Sequence, residues 1–288
     1  LLLFFKKEGL SFFLGVVIKM VLDLLFDQKF DEYFAKAGGG TPLWLMVHVP
    51  KTAGSSLGVE LAGLLAPSYN INIRKTDPTL GHRVRFDMAV AQFLEAAQKK
   101  PHRFATGHIS GDQAQLIMST LPEVRAFAML RHPVARFVSD FRYQRTPMHS
   151  DPEGFKARYP DFPSYVNTHR VYNKITSHLV PKSVLDTNDA QACIDHITKT
   201  FTFIGLQEAY PISFRVITTL AGTPARATVK ERVNTPTAEN SVELTPDLER
   251  TIRENNPIDM AVFVEFSRRF RAIRDGLAAW LKTGRKAA

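Results

Sequence analysis

Pro50-Lys51-Thr52-Ala53-Gly54-Ser55-Ser56 joins a short apolar run at 43–49 to a segment at 55–66 in which Leu57, Leu61, Leu64 and Leu65 recur at helical spacing. The first run reads as a buried strand and the second as a helix. A strand that turns into a helix through a lysine, a glycine and two hydroxyls is an anion cradle. The helix start carries backbone N–H groups without helical partners and the positive end of the macrodipole, and anions bind there readily. Gly54 lets the backbone come close to a phosphate. Ser55 and Ser56 can cap the helix and donate hydrogen bonds. Lys51 adds a compact full charge. The nucleoside triphosphate loop is excluded, because G-x-x-x-x-G-K-[ST] places lysine directly after its second glycine. Here Lys51 stands ahead of Gly54. Taken alone, one lysine and one glycine also fit an ordinary strand–helix turn.

The same alternation continues along the chain. Strand-like runs fall at 71–74, 104–107, 124–130 and 201–206. Helical periodicity falls at 85–99, 112–121, 133–144, 164–179, 188–200, 208–220, 245–255 and 258–282. Residues 145–163, rich in proline, histidine and charge, read as a loop or lid, and 223–244 as a polar loop. Strand–helix alternation of this kind predicts an α/β fold with a central, mostly parallel β-sheet flanked by helices.

A second element, Leu130-Arg131-His132-Pro133-Val134-Ala135-Arg136-Phe137-Val138-Ser139-Asp140-Phe141, ends one strand and opens a helix with proline in its first turn. Arg131 thus lies at the carboxyl edge of the sheet, where ligands of open α/β sheets gather, and its guanidinium can fork onto a phosphate. Arg136, Ser139 and Tyr143 read as a stripe separate from the core stripe of Val134, Phe137, Val138 and Phe141. Gly107-His108-Ile109-Ser110 follows another strand end. A histidine there titrates near cellular pH and suits a general base. His48 reads as packed, and His132 as a second residue within reach of a cofactor.

His48-Val49-Pro50-Lys51-Thr52-Ala53-Gly54-Ser55-Ser56-Leu57 closely resembles the donor loop of sulfotransferases that use 3′-phosphoadenosine 5′-phosphosulfate. The likeness is strongest to the carbohydrate branch with the heparan sulfate 2-O-sulfotransferases and their bacterial relatives. It implies a P-loop-like sulfotransferase architecture. It also implies that Lys51, Thr52, Ala53, Gly54, Ser55 and Ser56 hold the 5′-phosphosulfate. An R-x-P-x-x-R-x-x-S stretch in that family implies that Arg131 and Ser139 hold the 3′-phosphate, with Arg136 a structural ion-pair partner. A similar G-H-[VI]-S element implies His108 as the base. Lys230-Glu231-Arg232-Val233-Asn234 falls where relatives place a basic loop over the nucleotide, which adds Arg232 to the cofactor-binding set. Phe203-Ile204-Gly205-Leu206-Gln207-Glu208 and the Asp259 helix, with Val262-Phe263, extend the resemblance over 43–275. Lys51 and His108 are the expected catalytic pair, and the chemistry requires no metal. The acceptor is expected to be a hydroxyl of a carbohydrate or glycolipid, shaped by residues 66–103.

Bulk composition is consistent with this reading but does not single it out. The chain of 288 residues is 44% hydrophobic and 23% charged, enough for a sizeable core. Its 37 basic against 28 acidic residues leave a net charge of +9, which suits anionic ligands, polymers or surfaces. With Cys193 as the sole cysteine there is no internal disulfide and no cysteine-built zinc site. That usage fits a reducing compartment, most simply the cytoplasm. Residues 1–40 read as an amphipathic helical segment ending in a flexible joint at Gly38-Gly39-Gly40, and 41–288 as the sulfotransferase domain. Lys19 and Asp23 interrupt the apolar run at 10–26, so it is expected to pack on the domain or to touch a membrane peripherally through residues 1–35. A truncated membrane anchor is the other reading of this end. The rival functions are a nucleotide-dependent kinase on a related P-loop fold, a non-catalytic nucleotide-binding relative and a nucleic-acid-binding module. The lysine position counts against the first. The last has no basic stripe interleaved with aromatics, and no nucleic-acid partner is expected.

Overall fold

The computed structural model describes residues 20–168, 172–228 and 240–283. Five strands form one sheet: β1 (Leu43–Val47), β2 (Ser68–Ile71), β3 (Phe104–Gly107), β4 (Val124–Leu130) and β5 (Phe203–Leu206), in the order β2-β3-β1-β4-β5. Every pairing is parallel. All five residues of β1 are buried, as a central strand covered on both faces requires. The chain leaves β1 toward β2 but leaves β4 toward β5. The crevice between the carboxyl ends of β1 and β4 is therefore a topological switch point, where open α/β sheets bind ligands.

The helices are α1 (Val21–Phe26), α2 (Phe30–Ala37), α3 (Gly54–Leu64), α4 (His82–Lys99), α5 (Gly111–Thr120), α6 (Pro133–Gln144) and α7 (Pro152–Arg158). They continue as α8 (Phe162–Thr168), α9 (Lys174–Leu179), α10 (Lys182–Leu185), α11 (Ala190–Thr200), α12 (Tyr210–Leu220), α13 (Pro246–Asn255) and α14 (Pro257–Thr283). Buried side chains form two clusters. The larger runs from α1 and α2 through the sheet to α14. The smaller is rich in aromatic rings and joins α6, α7, α8 and α13 around Phe137, Phe141, Phe155 and Tyr165.

Residues 21–37 belong to the larger core. Tyr33 is fully buried and donates to Thr202 O at 3.0 Å, and Phe34 stacks on Trp280 with centroids 4.1 Å apart. The first part of the segment expected to touch a membrane, residues 1–19, lies outside the described residues. The expected joint is a left-handed turn, with φ of 76° at Gly39 and 67° at Gly40, a region that glycine enters without a Cβ clash. Arg125 Nη1 donates to Gly39 O at 2.8 Å and ties this turn to β4. No helix among the described residues is long and apolar enough to cross a membrane.

Three stretches differ from the periodicity. The strand expected at 71–74 lies at β2, because the Asn72 side chain accepts from Arg74 N at 3.1 Å and turns the chain into a short 3₁₀ helix. The expected lid at 145–163 contains α7 and the start of α8. The continuous helix expected at 164–179 is interrupted. Asn173 sits at φ 48° just before α9, and its Oδ1 accepts from Ile258 N and Asp259 N at the start of α14. Asp259 returns the favour to α9. Its carboxylate accepts from Ile175 N at 2.9 Å, Thr176 N at 2.8 Å and Thr176 Oγ1 at 2.6 Å. Each helix start is thus satisfied by a side chain from the other.

Asp259→Ala leaves those buried donors without their acceptor and is expected to lower stability by about 1–3 kcal/mol in urea denaturation. A loss indistinguishable from zero would mean that α9 does not depend on this cap.

Candidate active site

The loop after β1 is built from two left-handed residues. Lys51 has φ 70° and Ala53 φ 67°, ψ 14°. Neither is glycine, and a non-glycine residue held there costs roughly 1–2 kcal/mol. Such strain is typical of ligand clamps. Left-handed residues that alternate with right-handed ones are the backbone pattern from which anion-binding nests are made. Thr52 closes the turn from behind. It is buried, and its Oγ1 donates to Val49 O at 2.9 Å. Ala53 is the N-cap of α3, with no side-chain cap. Ser55 and Ser56 lie inside the first turn, so the capping role expected of them is corrected. Gly54 also has a different reason to be glycine. A Cβ there would meet the His48 ring at 2.2 Å.

A cleft of about 700 Å³ opens at the switch point. Lys51, Ala53, Gly54, Ser55 and Ser56 line one wall. Arg131 and Ser139 line it from the β4 side of this loop, and His108 lines it from the β3 side. Thr52 does not reach the cleft, and Arg232 lies outside the described residues. The stripe expected on α6 is shifted. Arg136 is only 2% exposed and pairs inside the protein with Asp140 at 3.1 Å, while Ser139, Arg142 and Tyr143 face the cleft.

Two guanidinium groups in this wall are incompletely satisfied. Arg131 Nη1 donates to Lys51 O at 3.2 Å, which fastens the loop to the end of β4. Its Nε is buried without a partner among the described residues, and so is Arg142 Nε. Buried donors left this way carry a desolvation cost that an anionic ligand would remove. His132 turns away from the cleft. Its N–H donates to Glu208 Oε1 at 2.9 Å and its ring meets Phe263 edge-on, which removes it as a cofactor contact.

Lys174, at the start of α9, also lines the cleft, 3.8 Å from Asp140 Oδ2. Burial alone would raise the pKa of Asp140. Lys174, Arg136 and Lys51 outweigh it and hold the carboxyl below its usual range. Lys51 Nζ rests 3.8 Å over the Tyr143 ring, a cation–π contact that keeps the ammonium against the cleft wall. Lys174 and Arg142 were missed from the sequence. The first was hidden in an apparently continuous helix. The second was legible as the position three residues after Ser139.

His108 Nδ1 lies 2.8 Å from His48 O. A carbonyl only accepts, so Nδ1 carries the proton and the neutral ring keeps its lone pair on Nε2. His108 is open to the cleft yet surrounded by protein on its other sides, and this desolvation lowers its pKa. The His48 carbonyl opposes the shift, while Lys174 adds to it. His178 behind it is pushed down to about 3, chiefly by desolvation, and its Nδ1 donates to Ile109 O at 2.6 Å. The site thus combines the strained loop and the start of α3, cations from four elements of the chain (Lys51, Arg131, Arg142 and Lys174) and a neutral imidazole.

A family model described as the sulfotransferase family matches residues 43–263, a span that holds all of these groups. Among solved structures, the crystal structure of mouse sulfotransferase SULT7A1 complexed with PAP is similar at 16% identity. That likeness covers 88% of this chain and 92% of the other, with a TM-score of 0.36. No curated protein matches the chain.

Ala53→Gly relieves the left-handed backbone, and part of the gain is offset by a more flexible unfolded chain. Stability in urea is expected to rise by roughly 0.5–1 kcal/mol. A fall would contradict strain at this position.

Proposed function

The chain belongs to the sulfotransferase family, and from that premise we propose that it moves the sulfuryl group of 3′-phosphoadenosine 5′-phosphosulfate to a hydroxyl of a carbohydrate or glycolipid. One observation carries the donor assignment. At a single switch point, a strained loop that opens α3 adjoins Arg131, whose buried Nε lacks a partner among the described residues. Two anionic ends of one ligand fit these two places, and a cleft of about 700 Å³ is of nucleotide size.

In this reading the loop from Lys51 to Ser56 receives the phosphosulfate, while Arg131 and Ser139 receive the 3′-phosphate. Arg232 remains a proposed further contact. The donor supplies the sulfuryl group, whose bridging bond breaks as the acceptor oxygen bonds to sulfur. The remaining work belongs to the chain. His108 Nε2 removes the acceptor proton. Its Nδ1–H stays on the His48 carbonyl and keeps the ring from turning. Lys51 and the loop N–H groups oppose the charge that grows on the departing oxygen.

Lys174 and Arg142, together with the +9 net charge, favour an acceptor that is itself acidic. A lipid-linked sugar, with peripheral membrane contact through residues 1–35, belongs to the same proposal.

Calorimetry with 3′-phosphoadenosine 5′-phosphate (PAP), ATP and GTP tests the donor, and preference for ATP would turn the reading toward a kinase. His108→Ala is expected to keep PAP binding and to lose about 10²–10⁴-fold in turnover. Wild-type turnover would remove His108 from the mechanism. Because the pKa of His108 is lowered, the base stays neutral at pH 7 and kcat/KM should fall only below the ordinary histidine value of about 6.5. An acid limb above 7 would contradict this assignment.

A further inference from the structure

We infer that the His48 imidazole is a positioning residue that locks the donor loop and the catalytic base into one register, an inference that rests on the reading of His108 as the base. His48 is the first residue after β1, and its N–H donates to Gly107 O at 3.0 Å, continuing the β1–β3 ladder. The pairing puts His48 beside His108. Their rings lie 4.1 Å apart at 34°, and the His48 carbonyl accepts the hydrogen bond from His108 Nδ1–H. A slip of one strand against the other would break both contacts.

The other side of the ring meets the donor loop. A Cβ on Gly54 would come within 2.2 Å of His48 Cδ2 and 2.4 Å of Nε2. Gly54 does not sit at positive φ, so its backbone imposes no need for glycine. The His48 ring imposes it. This ring therefore occupies the space where a side chain on the first residue of α3 would stand, and it fixes how closely the helix start approaches β3. His48 also lines the cleft. The ring serves as a spacer between the group that holds the donor and the group that takes the proton.

A spacer makes predictions that a mere core residue does not. His48→Ala exposes His108 to more water, while Lys174, Asp140, Lys51 and His178, the other groups acting on it, keep their places. The acid limb of kcat/KM should then move up toward the ordinary histidine value, and kcat should fall on the order of 10–100-fold from misalignment. His48→Phe keeps a ring over His108 and should hold the limb near its wild-type position.

The Gly54 contact is read in a double-mutant cycle by thermal unfolding, without ligand. Gly54→Ala should lower Tm sharply in the wild-type background and only slightly in His48→Ala. If Gly54→Ala alone does not fold, recovery of a folded protein in the double variant is the supporting outcome. Additive Tm losses, or no recovery, would overturn the contact. An unmoved acid limb in His48→Ala, or His48→Phe shifted as far as His48→Ala, would overturn the coupling to the base. Should PAP fail to bind the wild-type protein, the sulfotransferase mechanism falls, while the thermal cycle still reads the His48–Gly54 contact.

Discussion

Main-chain hydrogen bonding on both sides of β1 is the constraint on which the site depends. Because β3 and β4 run parallel to β1, their carboxyl ends emerge at the same edge. Adjacent strands lie about 4.8 Å apart. Three side chains that share no local sequence therefore arrive within one cleft: Lys51 after β1, His108 after β3 and Arg131 after β4. The bond from Arg131 to the Lys51 carbonyl closes this arrangement across the switch point. An antiparallel partner on either side would send one of these groups to the far edge.

The cleft is cationic, and its charge is organised around one carboxylate. Asp140 is the sole acid lining it among the described residues. Only 4% exposed, it is kept ionised by Arg136 from its own helix and Lys174 from α9. Removing one partner of such a buried pair usually costs several kcal/mol, because the other charge is stranded. The position of Lys174 in turn depends on α9, whose start is capped by Asp259 from α14. The acidic residue of the C-terminal helix acts on the site through this chain of contacts and without touching it.

What could be read in advance was local. The loop, β3, β4 and α6 each carry their signal within a dozen residues, through apolar runs, proline at a helix start and a basic residue at a strand end. The larger errors arose where a distant partner decides the backbone. Asn173 breaks the run at 164–179 because α14 supplies donors for its side chain. Arg136 was separated from the core stripe by its charge, yet the structural ion pair expected of it, formed with Asp140 one turn later, lets it be buried. Gly54 was singled out for a close approach to phosphate, and packing adds a second constraint on it. That constraint is a ring placed against it by the strand that precedes the loop, six residues earlier.

The aromatic cluster around Phe141 and Tyr165 is separate from the core that holds the sheet. The phosphate loop and His108 stand on the sheet core, whereas Ser139, Arg142 and Tyr143 ride on α6 over the aromatic one. The walls of the cleft therefore belong to two packing units with their own internal cohesion. Units of this kind open with different free energies. A ligand gripped by both walls would act as mortar between them. It would slow hydrogen exchange far from its own contacts, in the helices behind the aromatic cluster as well as along the sheet edge.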